Sequence, residues 1–280
     1  MPRIERREIN LETSNFTPEQ LQTRFLLEQG MAGWAGWSRA NLLPFRDLIG
    51  KRGVGLVITG VSIDWTAPFR FFDAETIEVT TSITLRPGGE LLDDDLRFLA
   101  NGVEVVKIHA LVRPIRITDA SLSAQPAPFP TDLIERFQPD EITAPPHRPR
   151  PAARAEQIRS EGDRLAGGSH PFRVRRAETE VADQWSFIDV PSYAAAGRED
   201  LLLSSDVPEE LQGALGLPLA SIDFEITRPL FVFDEAKVVS DAYAFNREIV
   251  FVHTIESTIG GGRTNATLIE TLKNHTTMNA

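Results

Sequence analysis

The sequence predicts an α+β protein made of two similar units in tandem, each an antiparallel sheet wrapped around one central helix. Three observations predict it: an internal repeat, a matching order of strand and helix signals on either side of a proline-rich stretch, and a length of 280 residues that suits two domains of moderate size. Residues 62–79 read SIDWTAPFRFFDAETIEV and residues 221–239 read SIDFEITRPLFVFDEAKVV. Both open on Ser-Ile-Asp-aromatic. Both place a proline, Pro68 or Pro229, ahead of a Phe-Asp pair, Phe72-Asp73 or Phe233-Asp234, and both run on into β-branched alternation. Two copies about 160 residues apart mean two units rather than a solenoid, which stacks at least three short repeats.

The elements follow in order. Arg3 to Glu12 can form a strand. Thr17-Pro18-Glu19-Gln20 reads as a helix start, with a threonine cap, proline at the first position and a capping-box glutamine. Helical structure rich in small residues and tryptophan extends to about Gly53. Val54 to Trp65 and Glu75 to Leu85 are strands, and Arg86-Pro87-Gly88-Gly89 is a turn. Leu96 to Ala100 and Val103 to Ile117 form a hairpin across Asn101-Gly102, a strong type I′ signal. The second half repeats the plan: a strand from Phe172 to Val181, a helix from Pro191 to Ser204, then strands Ala220 to Thr227, Ala236 to Phe245, Arg247 to Ser257 and Thr264 to Leu272. Asn246 and Gly260-Gly261-Gly262 mark its turns. One strand, one helix and a run of long antiparallel strands resembles the order of the hotdog fold. The expectation is therefore a double hotdog in one chain, a pseudo-dimer with sheets edge to edge.

Between the halves, eight of the 19 prolines fall from Pro126 to Pro151, which forbids a sheet or a long helix there. We expect an N-terminal unit over 1–118, a linker over 119–169 with a short helix at Ala152 to Ala166, and a C-terminal unit over 170–280. The basic run His147-Arg148-Pro149-Arg150 reads either as a phosphate-contacting patch or as a solvated linker.

Composition narrows the function classes. With 41% hydrophobic residues, 25% charged and a net charge of −11, the chain is globular and acidic, and an acidic surface repels nucleic acid. There is no cysteine, which excludes disulfides, thiolate metal sites and a cysteine nucleophile. The charged start leads into no apolar run, and no 18-residue apolar stretch exists, so neither a secretory signal nor a membrane span is expected. We read the protein as cytoplasmic. The five histidines, at 109, 147, 170, 253 and 275, show no metal-ligand spacing, and His109 and His253 fall inside strands as structural residues. No metal or redox cofactor is expected.

The sharpest local signal is Asp183-Gln-Trp-Ser-Phe-Ile-Asp189-Val-Pro-Ser-Tyr193-Ala-Ala-Ala-Gly-Arg-Glu199, where a strand passes through a loop into a helix. It resembles the 4-hydroxybenzoyl-CoA thioesterase family, whose motif runs Asp-x-x-Gly-His-Val-Asn-Asn-x-x-Tyr, with a Glu six residues later. Asp183, Tyr193 and Glu199 fall at that spacing, and Asp189 takes the first asparagine position. Ser186-Phe187 replaces Gly-His, and Val190 replaces the second asparagine. The resemblance implies an acyl-CoA or acyl-carrier-protein substrate, with coenzyme A or phosphopantetheine entering as part of that substrate. It implies Asp183, or else Glu199 or Asp189, as the catalytic carboxylate, and an oxyanion site at the helix N-terminus near Val190. The structural alternatives are an Asp189 that only caps the helix, a Tyr193 that packs in the core and a Glu199 that faces solvent.

No aspartate lies ten residues before Trp34 or Trp37, so the first unit is expected to lack the acid. Its Gly-Trp segment 30–41 reads as an acyl-channel wall or a packed helix entry, and Trp34, Trp37 and Trp185 are the candidate acyl-group contacts. Three functions are carried forward: a thioesterase, a dehydratase or acyltransferase/decarboxylase of a polyketide or fatty-acid-type pathway, and a non-catalytic acyl-binding protein. Whether a double unit pairs into a homodimer is left open.

Overall fold

The computed structural model describes residues 2–117, 124–144, 150–258 and 262–273. The chain divides into two compact units, residues 1–147 and 148–280.

The first unit holds β1 (Ile4–Asn10), α1 (Thr23–Asn41), α2 (Phe45–Arg52), β2 (Val54–Trp65), β3 (Thr76–Leu85), β4 (Leu92–Ala100) and β5 (Val103–Ile117). Neighbouring strands are antiparallel in the order β1-β3-β4-β5-β2. In β3 the residues Ile77, Val79, Thr81, Ile83 and Leu85 are buried while their neighbours are not, the period-two pattern of a sheet with one covered face. The cover is α1, which presents Leu26, Gly33, Trp34 and Trp37 at helical spacing. Asn101 and Gly102 both have positive φ, 51° and 78°, as a type I′ hairpin demands.

Three expectations shift here. The helix begins at Thr23, because Phe16 bridges to Leu21 and the Thr17 hydroxyl accepts the Glu19 and Gln20 N–H groups in a separate turn. The strand expected at Leu96 starts at Leu92. The acidic run Asp93-Asp94-Asp95 reads as loop, yet Arg86 bonds Asp93 through two nitrogens (2.7 and 2.8 Å) and His109 lies 3.2 Å from it, so Asp93 is paired within the sheet. Beyond β5, β6 (Ala124–Pro126) pairs with β5, α3 (Thr131–Ile134) follows, and Phe129, Leu133 and Phe137 bury among Trp34, Trp37, Leu85 and Leu92. Much of the proline-rich stretch is thus a strap over the first unit. The basic run of 147–149 lies outside the described residues, and Arg150 bonds Glu225.

The second unit holds α4 (Pro151–Glu161), β7 (Asp163–Arg173), α5 (Val190–Leu202), β8 (Leu219–Ile226), β9 (Glu235–Phe245), β10 (Glu248–Ser257) and β11 (Thr264–Leu272). Its strand order is β7-β9-β10-β11-β8, the order of the first unit again, and α5 packs on β7, β9 and β10. The helix α4 buries Ala155 and Ile158 against Tyr243, Val250, Val252 and Ile269. The edge strand is Asp163–Arg173 rather than Phe172–Val181. Gly167, Gly168 and Pro171 hide it from the sequence pattern, but an edge tolerates them. Of the three glycines expected to mark the turn after β10, Gly260 and Gly261 lie outside the described residues, and Gly262 has positive φ.

The repeat is visible in matched hydrogen bonds. Arg70 N–H donates to the Asp73 carboxylate (2.6 Å) as Phe231 N–H does to Asp234 (2.8 Å). Thr66 N–H donates to Val105 O (3.0 Å) as Thr227 N–H does to Asn265 O (2.8 Å). Thr66-x-Pro68 therefore stands over Thr227-x-Pro229, and the shared Ser-Ile-Asp triplets sit two residues out of that register, a slip that keeps side chains on the same face. This is an α+β double hotdog: two helix-wrapping antiparallel units in tandem.

Candidate active site

The edge strand β7 and α5 are joined by residues 174–189, and this connection is held in place by its own turns. Glu180 N–H donates to Gln184 O (2.8 Å) and Asp183 N–H to Glu180 O (3.0 Å), with Thr179 bridging to Trp185. The result is a small hairpin in which Asp183 closes the turn with φ of 56°. That left-handed slot normally takes glycine, and asparagine or aspartate next. The hairpin docks on the segment after β8: Trp185 N–H donates to Leu230 O (2.8 Å) and Val232 N–H to Asp183 O (2.8 Å). The Asp183 side chain is exposed and lies 3.4 Å from the Arg176 guanidinium.

Asp189 is the N-cap of α5 and is buried, in α-region backbone and with no side-chain cap bond. The first turn of α5 has few open donors. Val190 N–H points to Phe187 O at 3.4 Å, Pro191 has none, and Ser192 N–H donates to Asp189 O at 3.0 Å. Tyr193 is buried, stacked on Phe172 (4.1 Å between centroids) and beside Trp185 (6.2 Å). Its hydroxyl donates to Glu178 at 2.8 Å. Burial first, and then the Glu178 carboxylate, push the Tyr193 phenol far above its ordinary range, so it stays protonated.

The structure brings Trp185, Asp189, Val190 and Tyr193 together at the start of α5, while the exposed Asp183 side chain meets Arg176 in the preceding hairpin. It does not bring Glu199 there: that residue is exposed, farther along the helix. Trp34 and Trp37 belong to the core of the first unit. Trp34 meets Phe45 edge-on (4.7 Å), and the Trp37 indole N–H donates to Arg3 O (3.0 Å). Two features escaped the sequence. Glu178, partner of Tyr193, sits in a charged loop with nothing to mark it. A buried set under α5 joins Ser240, His253, Glu270 and Arg198. Its sequence signals are His253 inside a strand and an acid inside the apolar run of β11. Among the described residues, no group of three histidines and carboxylates could hold a metal ion, and no helix is long and apolar enough to cross a membrane.

No family sequence model matches the chain, and no curated protein sequence matches it. The likeness is three-dimensional. A protein assigned as an oleoyl thioesterase from Lactobacillus plantarum superposes with a TM-score of 0.74, covering 98% of this chain and 97% of that one at 12% identity. The 12:0-ACP thioesterase from Umbellularia californica gives 0.67, with 96% and 94% covered at 12% identity. An acyl-ACP thioesterase from Bacteroides thetaiotaomicron gives 0.64, with 96% and 98% covered at 9% identity. At such identities the shared property is the fold, and it extends over both units.

Proposed function

We propose that the protein is a thioesterase that hydrolyses an acyl thioester of coenzyme A or of an acyl carrier protein in the cytoplasm. What supports the reading is whole-chain likeness to three proteins described as thioesterases, combined with a carboxylate placed before a helix N-terminus. Fold alone does not fix a reaction, so the chemistry is argued from the residues.

In this reading Asp183 takes a proton from water, and the water oxygen bonds to the thioester carbonyl carbon. Charge moves to the carbonyl oxygen, where the N-terminal turn of α5 receives it. The Val190 N–H is the natural donor because its present bond is long. The intermediate collapses, the carbon–sulfur bond breaks, and the thiolate takes the proton from Asp183. The products are a carboxylic acid and a free thiol. A single carboxylate can suffice because thioesters have weak resonance stabilisation and thiolates leave well. Arg176 lies 3.4 Å from the Asp183 carboxylate, and Trp185 beside Tyr193 offers an apolar wall for the acyl group.

The test is thiol release from a panel of acyl-CoA and acyl-carrier-protein substrates, read with a thiol-reactive dye that meets no cysteine on this protein. Asp183→Asn should lower kcat at least a hundredfold, about 3 kcal/mol of transition-state stabilisation. Release that is unchanged in the variant would move the chemistry off Asp183. Absence of release, with dehydrated or decarboxylated acyl products found by mass spectrometry, would replace hydrolysis by one of those reactions.

A further inference from the structure

Backbone hydrogen bonds allow the second unit to be laid on the first. Leu11 N–H donates to Glu75 O (2.9 Å) and Val174 N–H donates to Asp234 O (3.0 Å), each just past the edge strand. Counting equal steps along β3 and β9 from those carbonyls sets Thr81 against Ser240, two residues off the register in which the Asp73 turn stands over the Asp234 turn. The match is independent of the count, because each hydroxyl lies directly under a helix glycine, Gly33 over Thr81 and Gly197 over Ser240. Across the sheet, Thr81 pairs with Leu96, and Ser240 pairs with His253. Leu96 pairs with Ile108 and His253 with Leu268, so Ala110 on β5 stands where Glu270 stands on β11. The residue after each glycine completes the set: Trp34 in the first unit, Arg198 in the second.

One place in the fold is thus built two ways. In the first unit it is Thr81, Leu96, Ala110 and Trp34, four uncharged side chains with the Thr81 hydroxyl left without a partner, and the buried carboxyl nearby is Asp94, opposite Ala110 on β4. In the second it is a chain of polar contacts. Ser240 Oγ lies 2.8 Å from His253 Nδ1, His253 Nε2 lies 3.3 Å from Glu270, and Arg198 closes on the same Glu270 oxygen. Ser240, His253 and Glu270 are at most 1% exposed. An ionised Glu270 accepts the Nε2 proton, which leaves Nδ1 to accept the Ser240 hydroxyl, so every proton has one place. A buried ionic chain is weak support for stability, since an apolar filling of the same volume does as well or better. The first unit fills these four positions with uncharged side chains and makes no ion pair among them on the same fold. The polar chain therefore needs a reason other than holding the unit together.

The reason lies on the helix it grips. Arg198 is on α5, the helix whose first turn carries Asp189, Val190 and Tyr193. Apolar packing lets a helix roll and slide by small amounts, whereas a directional chain across three strands fixes rotation and depth. We propose that Arg198, Glu270, His253 and Ser240 are positioning residues that lock α5 over β9, β10 and β11, and through it aim the N-terminal turn at the thioester carbonyl. This rests on the thioesterase reading for its functional consequence, but not for its mechanical one.

The test installs the first unit's solution in the second: Ser240→Thr, His253→Leu, Glu270→Ala and Arg198→Trp together, which strands no charge. Amide hydrogen exchange over 190–202, thermal midpoint, kcat and KM are measured on the full chain. The expected result is a midpoint close to wild type, exchange at least tenfold faster in α5, and kcat down at least tenfold with KM little changed. Glu270→Gln, which keeps shape and removes charge, covers the case in which the quadruple variant does not fold; it should show the same exchange and kcat changes to a smaller extent. Arg198→Lys in the wild-type background should retain most of kcat if the ion pair does the positioning. Wild-type exchange and kcat in both the quadruple and Glu270→Gln variants would overturn the proposal. If the wild type releases no thiol, the enzyme reading fails while the exchange measurement still decides whether the chain holds α5.

Discussion

Asp183 carries two demands at one position, and they can be separated. Its φ of 56° asks for glycine, asparagine or aspartate, and its proposed chemistry asks for a carboxylate. Asp183→Gly should therefore keep or raise stability, by up to about 1 kcal/mol from relief of the left-handed backbone. It should still lose thiol release as completely as Asp183→Asn. A midpoint that drops in the glycine variant would mean the Arg176 contact matters more than the backbone. The sequence made Asp183 visible by its spacing to Tyr193, but not its conformation, because the turn Glu180-Val181-Ala182-Asp183 contains no glycine to announce itself. Tyr193 was legible as a packing residue. Its acceptor Glu178 was not, since a loop carboxylate looks the same with or without a buried partner.

At the level of elements, hairpins were the most readable features and edge strands the least. Asn101-Gly102 and Asn246 lie at the tips expected of them, because positive φ restricts the residue choice so strongly. The strand β7 was displaced in the sequence reading because an edge strand need not alternate, and β4 was cut short because three successive aspartates contradict a strand until Arg86 and His109 are placed beside them. Helix–sheet contact was not read from the glycines, since the Gly-Trp segment 30–41 reads equally as a channel wall or a packed helix entry and Gly197 stands alone in its helix. The structure gives those glycines a measurable cost. A Cβ on Gly197 would lie 2.6 Å from Ser240 Oγ, and one on Gly33 would collide with Thr81 Oγ1. Gly197→Ala and Gly33→Ala should each destabilise by about 1–3 kcal/mol, as overpacking does. Adding Ser240→Ala to Gly197→Ala should restore part of the loss, and a double-mutant cycle by denaturant titration reads the coupling. Additive effects would show that the helix shifts instead of clashing.

For the molecule as a whole, the doubled plan was legible and its asymmetry was not. The repeat announced two units through prolines and Phe-Asp pairs, which mark turns. The difference between the units sits in the sheet interiors, where the same four positions are uncharged in one unit and joined by an ionic chain in the other, and no local pattern pairs residues on three separate strands. That asymmetry has a pH signature. Burial pushes the Glu270 carboxyl up, but the Arg198 charge and the His253 hydrogen bond bring it down to about 2, against an ordinary 4.5. A lowered folded value means that the stabilisation is complete above about 4.5 and is lost as the pH falls toward 2. The difference amounts to on the order of 3 kcal/mol. Stability measured from pH 6 to pH 2 should fall more steeply for the wild type than for the apolar quadruple variant. Parallel curves would place the acid sensitivity elsewhere.

Among the fastenings of the strap over the first unit is a residue near the beginning of the sequence. Arg3 offers its backbone N–H and side chain to Glu141, whose carboxylate is fully covered; burial pushes that carboxyl up, but the Arg3 bonds hold it below its usual range. Arg3 also reaches Arg136 O (2.9 Å) and lies over the Trp37 ring (5.3 Å). The third residue therefore works as a latch on a segment more than a hundred positions away. Arg3→Ala should leave the sheet intact yet let the strap lift, so that chymotrypsin nicks the chain at Phe129 and Phe137 while the wild type stays whole. A change at Arg3 is therefore read out far along the chain, at the phenylalanines the strap covers, rather than at the site of the substitution.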